Sequence, residues 1–178
     1  MDNFKQLGYN LDVAPLKEYL DANPALWNQI TVRQSFPDSP HVDTETIFVR
    51  GPKEFTYEDY QGNTEAINYD TPYELQKQIQ ELVGLSNEVI GAKELGYVLI
   101  VKLLAGGEVF PHADEGNYAE YYNRYHIVVS SKEGNVFSVN DESIEMRTGE
   151  LWTFNHKAPH HVINNSTEDR IHIIFDAK

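Results

Sequence analysis

Seven short β-rich runs crowd the second half of the chain and leave it little choice of architecture. From residue 95 onward "GYVLIVKLL", "RYHIVVSS", "NVFSVN", "SIEMR", "ELWTFN", "HHVIN" and "RIHIIFD" follow one another, separated by Gly, Asn, Asp and Ser. β-Branched and aromatic residues suit pleated, half-buried surfaces, and turn formers at this spacing fold such runs back on one another. The pattern predicts an antiparallel sandwich or barrel. "TETIFVRG", residues 44–51, predicts an eighth strand contributed from the other half.

The first half reads as helical support. In "DTPYELQKQIQELVG", Thr71 can cap, Pro72 suits the first turn, Glu74 completes a capping box, and Leu75, Ile79, Leu82 and Val83 share one face, with Gly84 as a stop. "VAPLKEYLDA" predicts a shorter helix burying Leu16, Tyr19 and Leu20 before Asn23 and Pro24. A chain of 178 residues is long enough for one filled core and short for two. The expectation is a single domain, 1–178, in which 1–94 supply helices and an outer strand and 95–178 the β core.

Charge narrows the ligands. With 28 acidic and 14 basic residues the formal charge is −14, which repels phosphate backbones and anionic headgroups and argues against nucleic-acid or membrane-surface partners. An anionic small ligand must then be held by locally placed Arg or His. The absence of cysteine excludes disulfides, thiolate chemistry and Cys-based zinc sites. "MDNFKQLGYN" has neither a basic segment nor an apolar run, so a soluble cytoplasmic protein is expected.

Two H-x-D pairs compete as metal ligands: His112 and Asp114 in "FPHADEGN", His41 and Asp43 in "SPHVDTET". Side chains two apart on a strand share a face, so either pair can present an imidazole beside a carboxylate. Context favours His112 and Asp114, which follow a long apolar strand and a Gly-Gly turn, whereas His41 sits among Pro-bearing loops. A facial triad needs a second His, and His156, His160, His161 and His172 are the candidates downstream. Arg124 and His126 share one strand face, as do Arg170 and His172. Two cationic faces suit a dicarboxylate, because guanidinium binds carboxylate bidentately. The plainer reading pairs these arginines with Glu168, Asp169 or Asp176.

"PHAD", "RYHI" and "GELWTFNHKAPHHVINNSTEDRIHIIFD" together resemble the aspartyl/asparaginyl β-hydroxylase family of 2-oxoglutarate- and Fe(II)-dependent oxygenases, over residues 95–178. "VRQSFPDSPHVDTETIFVRGP" is a weaker likeness upstream. The family's distal His lies ten residues before its Arg, which reaches His160 from Arg170. The resemblance implies a mainly β fold, a double-stranded β-helix (jelly-roll, cupin-like) with flanking N-terminal helices, in which His112, Asp114 and His160 ligate Fe(II). It further implies that Arg170 holds the distal carboxylate of 2-oxoglutarate, with Arg124 and His126 near its metal-chelating end. The implied reaction consumes O2, decarboxylates 2-oxoglutarate to succinate and hydroxylates a small-molecule or peptide substrate.

One departure stands out. Some members carry a hydroxyl on the strand before H-x-D to help the Arg, and "YVLIVKLL" has none after Tyr97, leaving Lys102 or another group as the substitute. The alternative is a cupin-like metal-binding protein (isomerase, sensor or small-ligand binder) without oxygenase activity, which has no need of Arg170, Arg124 and His126. Elsewhere Trp152 is expected in the core, His156 at the surface or rim, and "NYAEYYNRY" as either a substrate-facing loop or packing; a substrate carboxylate at the barrel mouth is the minority reading of Arg50.

Overall fold

The last strand shows how the fold is organised. The computed structural model describes residues 2–56 and 65–178. Its final strand, β11 (Arg170–Ala177), is buried along its whole length, so both faces need partners. Ile171, Ile173, Phe175 and Ala177 point one way and join a cluster with Leu16, Leu20, Leu75, Ile79, Leu82 and Val83 from the helices. Arg170, His172, Ile174 and Asp176 alternate with them and face the other way.

Around β11 lies a sheet whose order is β1 (Phe4–Gly8), β9 (Leu151–Phe154), β6 (Asn123–Ser130), β11, β4 (Leu95–Leu103), β2 (Thr44–Gly51) and β3 (Ile67–Asn68). A second sheet runs β5 (Glu108–His112), β10 (His160–Asn164), β7 (Asn135–Val139) and β8 (Glu142–Ile144). The pairings within both are antiparallel. Between the sheets sits another apolar cluster, with Leu103 and Val128 from the larger and Val109, Phe137, Val139 and Val162 from the smaller. Two facing antiparallel sheets with helices outside are the double-stranded β-helix expected from the sequence. Trp152 packs, half-buried, against this inner cluster.

Helix α1 (Ala14–Ala22) buries Leu16 and Leu20 as its periodicity predicts. A four-residue α2 (Val32–Ser35) follows. Helix α3 (Tyr73–Ile90) corrects two expectations. It runs through Gly84 and stops at Gly91, whose left-handed backbone (φ 69°) is the usual helix terminator, and no Thr71 side-chain cap forms at its start. Gly84 fits inside because a helical face needs no side chain where nothing packs on it, and its Cβ position is open. The tyrosine-rich segment forms a short α4 (Gly116–Tyr121). Among the described residues no helix is long and apolar enough to cross a membrane.

Strand β1 escaped the sequence reading because its residues are mostly half-exposed and its only neighbour is β9. Tyr118 of α4 anchors β4: the Tyr97 backbone N–H donates to its hydroxyl at 2.6 Å, and Gly96 leaves the room for it. A Cβ at residue 96 would collide with that hydroxyl and crowd Tyr122. Gly96→Ala is therefore expected to lower unfolding free energy by about 1–3 kcal/mol through overpacking, read by urea denaturation against wild type.

Candidate metal centre

Strand pairing brings the metal candidates together from distant sequence. β5 and β10 are antiparallel neighbours in which His112 stands opposite His160, and the two rings lie 4.3 Å apart between centroids. Asp114 follows β5 and is tied back by its backbone N–H, which donates to the His156 carbonyl at 2.9 Å. One ligand atom from each of His112, Asp114 and His160 lies within 4.8 Å of the others. The carboxylate's Oδ1 is 4.0 Å from His112 Nε2.

Each imidazole is oriented by its own backbone. Nδ1–H of His112 donates to the Phe110 carbonyl at 2.8 Å, and Nδ1–H of His160 to the Ala158 carbonyl at 2.9 Å. Both Nε2 atoms are left with lone pairs, the state a metal requires. Burial lowers the pKa of His112 and takes that of His160 down to about 4, so both rings are neutral at neutral pH. Asp114 has the opposite problem. Burial alone would favour its protonated form, but the Arg124 guanidinium and a hydrogen bond from His156 overcome this and hold the carboxyl well below the usual range. Two neutral nitrogens and one carboxylate oxygen suit an octahedral divalent ion with open positions, and Fe(II) fits that donor set.

Arg124 is the link between this centre and the fold. Its Nη1 donates to Asp114 Oδ2 at 2.8 Å, while Nε and Nη2 reach Asp176 at 2.8 and 3.1 Å. Asp176 also accepts from the Tyr118 hydroxyl at 3.1 Å. The plainer reading of Arg124, pairing with Asp176, holds in the structure; its guanidinium bridges two carboxylates. His156 is buried, and its Nδ1 lies 3.3 Å from Asp114 Oδ2, which corrects the expectation of a rim residue.

Arg170 behaves differently. It is buried, burial lowers its pKa to about 9, and no carboxylate among the described residues pairs with it. Nη2 donates to His172 Nδ1 at 3.0 Å, and the guanidinium lies 5.8 Å from the Phe137 ring centroid. His126 is buried on the adjoining strand, its Nδ1 3.2 Å from His172 Nδ1. A buried cation without a counter-ion is costly, and an anion entering between the sheets would offset that cost. Lys102 takes no part: it faces outward, paired with Glu45 at 2.7 Å and lying over Trp27.

A cavity of about 320 Å³ opens beside His112 and Asp114. Phe36, Phe48, Phe55 and Tyr97 supply apolar walls, Arg33 and His41 polar ones, and Tyr118 and Ala119 reach it from α4. The tyrosine-rich segment thus both packs and lines the cavity. Arg50 does neither. Its Nε donates to the Gly96 carbonyl at 3.0 Å and Nη1 to Asn68 at 3.0 Å, away from the cavity walls.

The second H-x-D pair has a different use. His41 is buried edge-on against His112 with centroids 4.9 Å apart, and its pKa is lowered, by burial first and by Arg33 next. Asp43 accepts the Glu108 N–H at 3.0 Å and so pins the start of β5. Sequence reasoning set His41 aside, read His156 as a rim residue and Asp176 as one of several partners for the arginines, and did not single out Tyr118. The repeated motif was the one signal that pointed to His41.

Residues 62–178, more than half of the chain, match the family described as aspartyl/asparaginyl beta-hydroxylase. The chain is 26% identical over 102 residues to L-proline cis-4-hydroxylase of Rhizobium meliloti (strain 1021), a match covering 57% of this chain and 36% of that relative. The chain thus spans about a third of that relative's length. Among solved structures it resembles a 2OG-Fe(II) oxygenase family oxidoreductase from Burkholderia pseudomallei, with TM-score 0.64, 12% identity, and 99% of this chain and 84% of that one covered. It also resembles a Pseudomonas putida prolyl-4-hydroxylase, with TM-score 0.62, 11% identity, and 100% and 93% covered. At such identities these two likenesses speak for the fold.

The depressed imidazoles set a pH dependence whose sign follows directly. A histidine whose pKa falls from 6.5 to about 4 on folding binds fewer protons when folded, so stability drops as pH falls through 6.5. His160 alone accounts for about 2 kcal/mol by pH 5. His41, His112, His126 and His172 shift in the same direction. Thermal melts of metal-free protein should show Tm falling steadily from pH 7 to pH 5; a flat profile over that interval would contradict the buried, neutral state of these rings.

Proposed function

Because the chain belongs to the aspartyl/asparaginyl β-hydroxylase family, we propose that it is an Fe(II)- and 2-oxoglutarate-dependent dioxygenase that hydroxylates a small amino acid or a peptide side chain. The observation that carries the proposal is Arg170, a buried guanidinium without a carboxylate partner among the described residues, in the same intersheet space as the His112, Asp114 and His160 cluster. A metal site alone has no use for it. A dianionic cosubstrate does, and this is why the cupin-like, non-oxidative reading is not favoured.

His112, Asp114 and His160 would hold Fe(II) and would leave coordination positions for cosubstrate and oxygen. Fe(II), when bound with 2-oxoglutarate and O2, supplies the oxidative chemistry in which the cosubstrate becomes succinate and CO2 and the substrate gains a hydroxyl. The protein's part is positional. Carbonyls of Phe110 and Ala158 aim the two Nε2 lone pairs. Arg124 keeps Asp114 ionised and turned so that Oδ2 is occupied and Oδ1 faces the imidazoles. In this role Arg124 acts on the metal ligand, and of the two residues expected near the chelating end of 2-oxoglutarate His126 is the one left to approach it. Arg170 takes the distal carboxylate.

The substrate enters the cavity beside His112. Its volume of about 320 Å³, its aromatic walls and the presence of Arg33 suit a compact molecule with an apolar body and an anionic group. A free amino acid meets that description, and proline, named in the Rhizobium meliloti relative, is the first to try.

Two measurements test the proposal. Anaerobic addition of 2-oxoglutarate to Fe(II)-loaded protein should produce the weak visible charge-transfer band of a chelated cosubstrate. Arg170→Ala should weaken that binding by about tenfold or more, the loss of a charge-assisted contact. Absence of the band in wild type would reject the assignment. Separately, succinate release should rise above the uncoupled rate with free proline or a related small amino acid and stay near background with long peptides; stimulation by peptides alone would redirect the substrate class.

A further inference from the structure

The buried row between the two sheets contains a residue with no role in the scheme above. His172 is fully buried on β11, and its Nδ1 meets two partners at once: Arg170 Nη2 at 3.0 Å and His126 Nδ1 at 3.2 Å. We propose that His172 is a positioning residue for cosubstrate recognition, accepting at one nitrogen from both Arg170 and His126 and thereby aiming the guanidinium and setting which nitrogen of His126 meets the ligand. The inference rests on the reading of Arg170 as the anchor of the 2-oxoglutarate carboxylate.

Hydrogen-bond chemistry leaves one arrangement. A guanidinium has only donors, so the contact from Arg170 requires a lone pair on His172 Nδ1. His172 is therefore neutral with its proton on Nε2. Two bare nitrogens 3.2 Å apart would repel, so His126 carries its proton on Nδ1 and shares with Arg170 the single lone pair of His172 Nδ1 in a three-centre contact, of which its own is the longer arm. Its Nε2 is then an acceptor, buried and without a partner among the described residues. The Nε2–H of His172 is likewise buried and without one. Both ends of the row thus lack a partner among the described residues.

The arrangement has consequences for recognition. Arg170 lacks a carboxylate to fix its rotamer, and the donation to His172 is the directional restraint on its guanidinium among the described residues. His126 meets an incoming ligand with a lone pair, which suits a water or hydroxyl bridging to a carboxylate and does not suit a carboxylate oxygen directly. The strand before H-x-D lacks the hydroxyl that could have steadied the arginine, and the neighbouring imidazole two residues along β11 takes that work.

Histidine-labelled, metal-free protein examined by ¹⁵N NMR should show His172 as the Nε2–H tautomer and His126 as the Nδ1–H tautomer. An Nδ1–H tautomer at His172 overturns the proposal, and this measurement decides it alone if a variant does not fold. In the Fe(II)-loaded protein, His172→Leu should raise the 2-oxoglutarate dissociation constant about tenfold or more. His172→Asn, whose Oδ1 can replace Nδ1 as acceptor, should stay within about threefold of wild type. Fe(II) affinity should change in neither. Equal losses in both variants indicate packing, and no loss in either indicates no role; each overturns the inference. Arg170→Ala separates the two levels: unchanged affinity there removes the functional premise, whereas weakened affinity there with none in His172→Leu sinks the role of His172 alone.

Discussion

A strand buried on both faces must put something on each, and β11 puts hydrocarbon on one and charge on the other. The apolar face makes the fold: Ile171, Ile173 and Phe175 hold the helices to the larger sheet. The polar face makes the site, because Arg170, His172 and Asp176 are carried between the sheets by the same period-two alternation. Neither face can slip by one residue without exchanging the two. The register of β11 against β4 and β6 is thus the constraint on which both stability and chemistry depend.

Arg124 converts that register into metal-site geometry. β6 pairs with β11 so that Arg124 stands opposite Asp176, and the guanidinium spans from there to Asp114. A carboxylate of the central strand therefore positions a carboxylate of the metal centre through one planar, multiply donating group. Lysine could not hold both with the same directionality. Tyr118 extends the chain of contacts to the backbone of β4, so the ligand Asp114 is coupled to the larger sheet although its own strand belongs to the smaller one.

Periodicity exposed the strands and the pairing of His112 with Asp114, since both rest on local rules, whereas His160 was singled out from four candidates by the family resemblance. Alternation in "RIHIIFD" and "RYHIVVSS" is visible in the letters, and H-x-D at a strand end limits where a carboxylate can point. What stayed hidden depends on contacts across long separations. His156 looks like a turn residue until β5 and β10 pair and bring it against Asp114. Arg124 reads equally as ligand-facing or as the partner of a nearby acid, because no local rule decides that Asp176 lies across from it. Helix α3 outran its predicted stop for a similar reason: Gly84 costs about 1 kcal/mol in propensity, which the buried face of Leu75, Ile79, Leu82 and Val83 easily exceeds. The hydroxyl absent from "YVLIVKLL" was legible, but the imidazole beside Arg170 is a tertiary answer to it.

Charge balance between the sheets ties these parts together. Among the side chains that meet between the sheets, Arg124 and Arg170 are matched in number by Asp114 and Asp176, and the depressed histidines are neutral. A divalent cation at the triad adds two positive charges and a dicarboxylate adds two negative ones. Either alone leaves an imbalance of two in a medium where charge is poorly screened, whereas both together restore neutrality. Cation and dianion therefore stabilise one another's binding through the protein as well as by direct contact. Within the fold, a lone guanidinium beside Phe137 is what makes room for an anion.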